Sequence, residues 1–350
     1  MYRAVSSRFQ SFPDIRACYA GLFPGVERVY VSPDIAASAA SNPYLKLLYR
    51  GLAPISLSAP YPIAPVAGRL RGEPGIWHQH WLQCSSLPTF LRAAHRLHAA
   101  QLYRKLGGHV LWTVHNLEPH VQRLARQNAW LTRGMRETAE YLLVHTEDAA
   151  EQLCRAWSVA EQRVVIVPHP SYEVAAVSRA EARDRLKEHY GIDLGDAKVF
   201  LIFGMIARYK QVVEAIGAFQ GQDGARAQLL IAGAVRGNEA DYAEEIAAAM
   251  KHAPVQLCDR FIPEEHVPWF FGAADVALFN YRQILTSGAI QLASDLGTPI
   301  WIPDLPALAG ITAGTIVRFK DMRELRERIA RSLLDPSRLQ GPADDRQRHR

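Results

Sequence analysis

Short apolar runs rich in β-branched residues alternate along the chain with longer stretches whose apolar positions recur every three or four residues. The short runs read as strands over 29–32, 75–78, 110–114, 141–145 and 164–167, then 199–203, 228–232, 255–258, 276–279 and 299–302. The longer stretches read as helices, over 87–106, 123–140, 179–189, 211–219, 242–252 and 289–295. Strand–helix alternation at this spacing implies parallel sheets with crossover helices on both faces. The pattern occurs twice, and Pro168-His169-Pro170 separates the halves, because proline resists both helix and central strand. The fold class expected is α/β, with two doubly wound Rossmann-like domains facing a cleft near residue 170. Residues 1–168 form the first domain and 169–334 the second; residues 335–350 form a polar, frayed tail. In such sheets ligands lie beyond the carboxyl ends of the strands. Residues 1–28 receive no role from the pattern.

The chain has 350 residues, 49% hydrophobic and 21% charged, enough for two ordinary globular domains and incompatible with wholesale disorder. Its four cysteines, Cys18, Cys84, Cys154 and Cys258, are far apart and read as free thiols of a reducing compartment. No apolar run reaches the length of a membrane span, and the first residues lack the apolar core of a secretion signal. The expected location is the cytoplasm. Charge changes this picture. Residues 1–168 hold 18 Lys/Arg and 11 Asp/Glu, whereas 169–350 hold 22 and 24. No acidic residue occurs from Pro74 to Asn116, a stretch that carries Arg92, Arg96, Arg104, Lys105 and six histidines. A basic first half calls for an anionic partner, such as an anionic membrane surface, a lipid-linked diphosphate or a nucleic acid. The helix over 87–106 is both amphipathic and basic, so it suits a crossover helix on its sheet or a helix on an anionic membrane.

Candidate chemistry sits at strand ends. In the second half, Gly204 follows a strand, and Arg208 and Lys210 precede a helix. Two cations beside a helix N-terminus make a site for a diphosphate. Thr286-Ser287-Gly288 precedes another helix, where a hydroxyl caps and a glycine admits a phosphate. In the first half, His78 and His80 share one side of a strand end, and His115, Asn116, Glu118 and His120 follow another strand. Clustered imidazoles and a carboxylate can supply a general base or hold sugar hydroxyls. Metal ligation is the weaker alternative, because the spacings match no strong ligand signature. The chain lacks GxGxxG after a strand, a P-loop, a DxD triplet and a G-x-S-x-G elbow, which disfavours dehydrogenase, P-loop and serine-hydrolase chemistry.

These stretches resemble GT-B glycosyltransferases, and most closely the exopolysaccharide mannosyltransferases typified by the xanthan β-mannosyltransferase. The matching segments are NPYLKLLY (42–49), WHQHW (77–81), TVHNLEPH (113–120), HPSY (169–172), FGMIARYKQV (203–212) and YRQILTSG (281–288). The resemblance implies a hexosyltransferase with a nucleotide-sugar donor, first GDP-mannose and next a UDP-sugar such as UDP-glucose. It implies a lipid-linked oligosaccharide acceptor at the inner membrane face and peripheral membrane association. It implies no metal and no cofactor besides the donor. Carried over by residue, Gly204, Arg208, Lys210, Tyr281, Ser287 and Gly288 are donor-binding, and His115 falls against the donor sugar. Asn42, Tyr44, Asn116 and His120 lie on the acceptor side. The segment 284–292 lacks the glutamates that many retaining relatives carry, which fits inversion and requires a base. His80, His115 and Glu118 are the candidates, with Asp34 a fourth. A non-catalytic nucleotide-sugar-binding or scaffold protein of the same fold is the competing class. Nucleic-acid binding has no recognised motif here.

Overall fold

The computed structural model describes residues 8–39, 42–57, 63–117, 124–235, 240–281, 285, 287–305, 308–311 and 314–339. The chain divides into two compact units, Met1–Pro170 and Ser171–Arg350. The first unit contains strands β1 (Gln10–Ser11), β2 (Val29–Ser32), β3 (Ile55–Ser56), β4 (Ile76–Gln79), β5 (His109–Thr113), β6 (Tyr141–Val144) and β7 (Val164–Ile166). Between them run α1 (Ile15–Leu22), α2 (Ile35–Ala39), α3 (Tyr44–Leu48), α4 (Ile63–Leu70), α5 (Leu87–Lys105), α6 (Ala125–Thr138) and α7 (Glu147–Trp157). The sheet order is β1-β7-β6-β5-β4-β2-β3, with every described pairing parallel. The order reverses between β2 and β4, which makes that strand pair the switch point of a doubly wound sheet.

The second unit contains β8 (Lys198–Phe203), β9 (Ala227–Ala232), β10 (Val255–Cys258), β11 (Val276–Leu278), β12 (Ile300–Pro303) and β13 (Ile316–Phe319). Its helices are α8 (Arg179–Tyr190), α9 (Val212–Phe219), α10 (Ala240–Met250), α11 (Val267–Ala273), α12 (Gly288–Asp295) and α13 (Met322–Leu334). The order β10-β9-β8-β11-β12-β13 is the Rossmann order, and its switch point falls between β8 and β11. Alternation along β8 explains the layers. Val199, Leu201 and Phe203 face a core with α8 and α11, whereas Phe200 and Ile202 face a core with α9 and α13.

Local chemistry sets the helix starts. Ser86 and Thr89 form a reciprocal capping box on α5, and Thr146, Ser178, Ser287 and Asp321 cap α7, α8, α12 and α13. The ten expected strands occur within a residue or so of their expected bounds. Three further strands, β1, β3 and β13, escaped the pattern because two of them have two residues each. The unassigned N-terminal residues contribute β1, which pairs Gln10 with Val165, and α1, which lays Ile15, Cys18 and Tyr19 on the sheet. Gln211 is not helical as expected; its φ of 50° makes it a left-handed residue ahead of α9. The tail reading is corrected at its start. Residues 336–339 form a 3₁₀ turn, Leu339 is buried, and its carbonyl accepts the buried Trp301 indole N–H at 3.0 Å. An indole taken out of water needs that acceptor.

One carboxylate ties α8 to the sheet. Asp275 accepts from Arg179 at 2.5 and 3.0 Å, from the Val199 N–H at 2.8 Å and from Lys198 at 3.4 Å. Its side chain is 7% exposed, so removal strands a backbone donor and crowded guanidinium groups. Asp275→Ala is expected to cost about 3 kcal/mol. The melting midpoint should fall by roughly 6–12 °C, and Asp275→Asn should fall less because it keeps an acceptor for Val199. An unchanged midpoint in thermal unfolding would contradict this role.

Candidate functional site

The second unit gathers its expected residues at the β8/β11 switch point. Gly204 ends β8 with φ +85°, and a Cβ there would lie 3.4 Å from Lys210 Nζ. Residues 208–210 form one 3₁₀ turn, which folds Lys210 back over the strand end. The Lys210 side chain is 4% exposed, and its ammonium donates to the Phe203 carbonyl at 2.8 Å. Its Nζ also lies 5.9 Å from the centroid of the Tyr281 ring, which follows β11. Tyr281 packs on Tyr209 and Phe279, and its hydroxyl is hydrogen-bonded with Ser287; burial holds the phenol well above its ordinary range. Ser287 caps α12 by accepting from the Ile290 N–H at 3.3 Å, and Gly288 begins that helix. Gly204, Lys210, Tyr281, Ser287 and Gly288 therefore form one contiguous cluster beside a helix N-terminus. The arrangement offers an ammonium, a phenol and backbone N–H groups to an anion.

Arg208 sits differently. Its guanidinium donates to Asp241 at 2.6 Å and to Glu245 at 2.8 and 3.1 Å, and it covers the Tyr242 ring at 4.8 Å. Hydrogen bonds to Glu245 and then to Asp241 raise its pKa. A diphosphate at this residue must replace those carboxylates.

Three positions missed in the sequence hold this loop. Gly233, at φ +146°, brings a would-be Cβ within 2.4 Å of the Gly204 carbonyl oxygen. Tyr242 accepts the Val212 N–H at 2.8 Å, and Asn280 donates to the Gln211 carbonyl at 3.1 Å. Together they fix the left-handed Gln211, a conformation costing on the order of 1 kcal/mol for a residue with a side chain. Gly233 carried a readable signal, a glycine directly after a strand; the tyrosine and asparagine carried none.

The first unit gathers histidines instead, all within one face of its sheet. His78 and His80 are completely buried, with ring centroids 4.2 Å apart and planes tilted by 33°. His78 is corrected from a cleft-facing residue to a core one. Its Nδ1 meets the hydroxyls of Tyr19 at 2.7 Å and Tyr49 at 2.6 Å, and its Nε2 meets Thr113 Oγ1 at 2.7 Å. His80 Nε2 meets the Tyr49 hydroxyl at 2.7 Å, while its Nδ1 is buried with no hydrogen-bond partner. Tyr44, expected on the acceptor side, is buried; its hydroxyl meets His145 Nε2 at 2.9 Å, and its ring packs edge-on against His115. Asn42 is exposed and accepts the Tyr44 N–H at 3.0 Å. His115 stacks on Trp81 at 4.5 Å, and its Nε2 is buried with no hydrogen-bond partner. Asn116 is half-buried on the same strand exit, but Glu118 and His120 lie outside the described residues. Asp34 follows β2, caps α2 through the Ala37 N–H at 2.8 Å and accepts from Ser56 at 3.0 Å. Among the described residues, no group of three or more His, Cys, Asp or Glu side chains is placed to hold a metal ion.

Burial sets the charge of this cluster. Desolvation, then the field of His145, pushes His78 down to about 3. Desolvation, then His169, does the same to His145, again to about 3. His80 and His115 are lowered in the same way. All four are neutral near pH 7, and their burial opposes protonation.

Two outcomes follow from this geometry. Unfolded histidines gain protons below about pH 6.5, whereas folded His78 and His145 stay neutral down to about pH 3. Stability is then full above pH 6.5 and lost as pH falls, by up to about 1.4 kcal/mol per pH unit for each such histidine. Urea midpoints for the unit Met1–Pro170 should drop steadily from pH 7 to pH 5; a flat profile would contradict the neutral buried state. Gly233→Ala should push the Gly204 loop out of place. Thermal unfolding should show a loss of about 1–3 kcal/mol, while an unchanged midpoint would mean the close backbone approach is dispensable.

No protein-family model and no curated protein matches the chain. Solved structures do. HepE from Anabaena in complex with UDP and glucose is 11% identical, with a TM-score of 0.64, covering 90% of this chain and 91% of that one. A glycosyltransferase from Rickettsia africae is 13% identical, with a TM-score of 0.58 and 91% coverage of both chains. Sucrose-phosphate synthase from Thermosynechococcus elongatus is 19% identical, with a TM-score of 0.57, covering 79% of this chain and 68% of that one. At these identities the likeness shows the fold: two Rossmann-like α/β domains of the GT-B class.

Proposed function

We propose that the chain is a glycosyltransferase that moves a hexose from a nucleoside-diphosphate donor. The observation that carries this reading is the Gly204–Lys210–Tyr281–Ser287 cluster at the Rossmann switch point. Breaking the donor's glycosidic bond leaves a nucleoside diphosphate. The Lys210 ammonium, Arg208 once turned from Asp241 and Glu245, and the first N–H groups of α12 would stabilise its growing charge. Inverting transfer also requires a base for the acceptor hydroxyl. His80 and His115 are the candidates, since each keeps a buried ring nitrogen with no hydrogen-bond partner; desolvation lowers the basicity of both, so the bound acceptor would have to offset that cost. The acceptor that the sequence resemblance implies is a lipid-linked oligosaccharide.

Two donors are in competition. The sequence motifs favour GDP-mannose. The likeness to HepE, solved also with UDP-glucose, favours a UDP-sugar. Thermal unfolding with GDP, UDP and ADP separates them, since a ligand bound only by the folded state raises the midpoint. One nucleotide at about 100 times its dissociation constant should add about 2.7 kcal/mol; Lys210→Ala should remove most of that gain, and Arg208→Ala, whose guanidinium must first leave Asp241 and Glu245, much less of it. GDP alone selects the mannosyl donor and UDP alone a UDP-sugar. No shift with any nucleotide would overturn the reading, and a shift without sugar transfer to any lipid-linked acceptor would make the chain a binding protein.

A further inference from the structure

Two tyrosines of the first unit each reach an imidazole Nε2, and the two pairs close differently. The Tyr44 hydroxyl meets His145 Nε2 at 2.9 Å, and His145 Nδ1 lies 2.8 Å from the Val167 carbonyl oxygen. A carbonyl only accepts, so Nδ1 carries the proton of this neutral ring and Tyr44 donates to Nε2. Tyr49 meets His80 Nε2 in the same way, at 2.7 Å. Here Nδ1 is buried with no hydrogen-bond partner. Which nitrogen of His80 carries the proton follows from its neighbours. Five polar contacts link Thr113, His78, Tyr19, Tyr49 and His80. With both rings neutral, each of these five side chains brings one proton to the network.

His78 Nδ1 decides the pattern. The hydroxyl oxygens of Tyr19 and Tyr49 lie 2.7 and 2.6 Å from it. A bare nitrogen has one lone pair and accepts from one of them, which presses the other oxygen against it with no proton between. An N–H there serves both. His78 Nε2 is then bare and accepts from the Thr113 hydroxyl at 2.7 Å. The Tyr49 oxygen already accepts from His78, so its own proton goes either to His80 Nε2 at 2.7 Å or to the Tyr19 oxygen at 3.4 Å. The second choice strands two buried groups among the described residues, the Tyr19 proton and the His80 Nδ1 lone pair. The first sends the Tyr19 proton to Tyr49 and strands one, an N–H at His80 Nδ1. We propose that Tyr49 is a positioning residue that fixes the proton of His80 on Nδ1, so that His80 serves the transfer as a hydrogen-bond donor to a sugar oxygen and not as its base. The Val167 carbonyl on His145 shows what such an N–H takes, a neutral oxygen acceptor. Of the two candidate bases this leaves His115. The sugar role rests on the glycosyltransferase reading; the proton's position does not.

The test is solid-state nitrogen NMR of the full chain, isotope-labelled at its 13 histidines, because bare and protonated ring nitrogens resonate far apart. The His80 signals are those lost in His80→Gln. Without ligand near neutral pH, His80 should show a protonated Nδ1 and a bare Nε2. In Tyr49→Phe it should carry its proton wholly or partly on Nε2, while His145, held by Tyr44 and Val167, keeps its own on Nδ1. A protonated Nε2 in the parent, or an unchanged His80 in the variant, would overturn the proposal. The parent spectrum decides the proton's position even should Tyr49→Phe fail to fold. The sugar role is read by adding UDP-glucose, GDP-mannose and the methyl glycosides of glucose and mannose. At least one of these should move the His80 Nδ1 resonance, and UDP or GDP alone should not. A resonance that no sugar moves, or that the bare nucleotides move equally, would overturn that role. A nucleotide-dependent melting shift with an unmoved His80 sinks this inference and spares the donor reading. A missing melting shift sinks the donor reading, and the ligand-free spectra still decide the proton.

Discussion

Two backbones touch at the carboxyl ends of β8 and β9 with no side chain between them. The approach of Gly233 to the Gly204 carbonyl, where a Cβ would sit 2.4 Å away, is the constraint from which the second unit's site is built. Parallel strands end in carbonyls that no further strand can pair, and the turn after β8 must dispose of them. This chain does so by folding Lys210 back onto the Phe203 carbonyl. The ammonium is thereby held beside the switch point instead of reaching into solvent. The backbone strain this creates falls on Gln211, where Tyr242 and Asn280 hold the flanking backbone groups. Close packing, a buried charge and a strained residue therefore share one short loop, which is where folds place chemistry.

The first unit solves a different problem with a related device. Imidazoles on the inner face of a sheet lose their hydration, and each lost contact has to be replaced. Hydroxyls do this here. Tyr19 comes from α1, Tyr44 begins α3 and Tyr49 follows it, so three separate positions in the first fifty residues turn toward β4, β5 and β6. The N-terminal segment thus completes the histidine cluster. The hydroxyls fix the orientation of imidazoles that burial keeps neutral, and among the described residues His80 Nδ1 and His115 Nε2 are buried with no hydrogen-bond partner.

How much of this was legible in the sequence depends on range. The strands and most long helices follow from periodicity, a local property, and so does the division near Pro168–Pro170. The glycine and lysine of the second unit were legible because a strand, a glycine and two cations in order imply a loop at a strand end. What sequence order cannot supply is which distant hydroxyl or carboxylate meets which group. Tyr242 lies thirty residues beyond the N–H groups it holds, and Tyr49 twenty-nine residues from His78. His78 read as a site residue because strand alternation placed it beside His80. The same alternation, once α1 and α3 cover that face, places it in the core.

The two cations of the 208–210 turn are also unequal, and the reason is again distance in sequence. Asp241 and Glu245 stand one turn apart on α10, 33 and 37 residues beyond Arg208, and together they accept three hydrogen bonds from it. The charge of that guanidinium is already compensated within the unit. Lys210 donates to the Phe203 carbonyl, faces the Tyr281 ring and is nearly buried, so it stands in a drier environment than the half-exposed Arg208. Adjacent in the motif, the two residues differ in electrostatic standing. An anion arriving at the start of α12 would meet the helix N–H groups beside the Lys210 ammonium. It would gain Arg208 only by displacing two carboxylates whose mutual repulsion that guanidinium now relieves. The exchange would cost nearly as much as it returns, so Arg208 would weigh less in binding than in selecting a doubly charged ligand able to complete it.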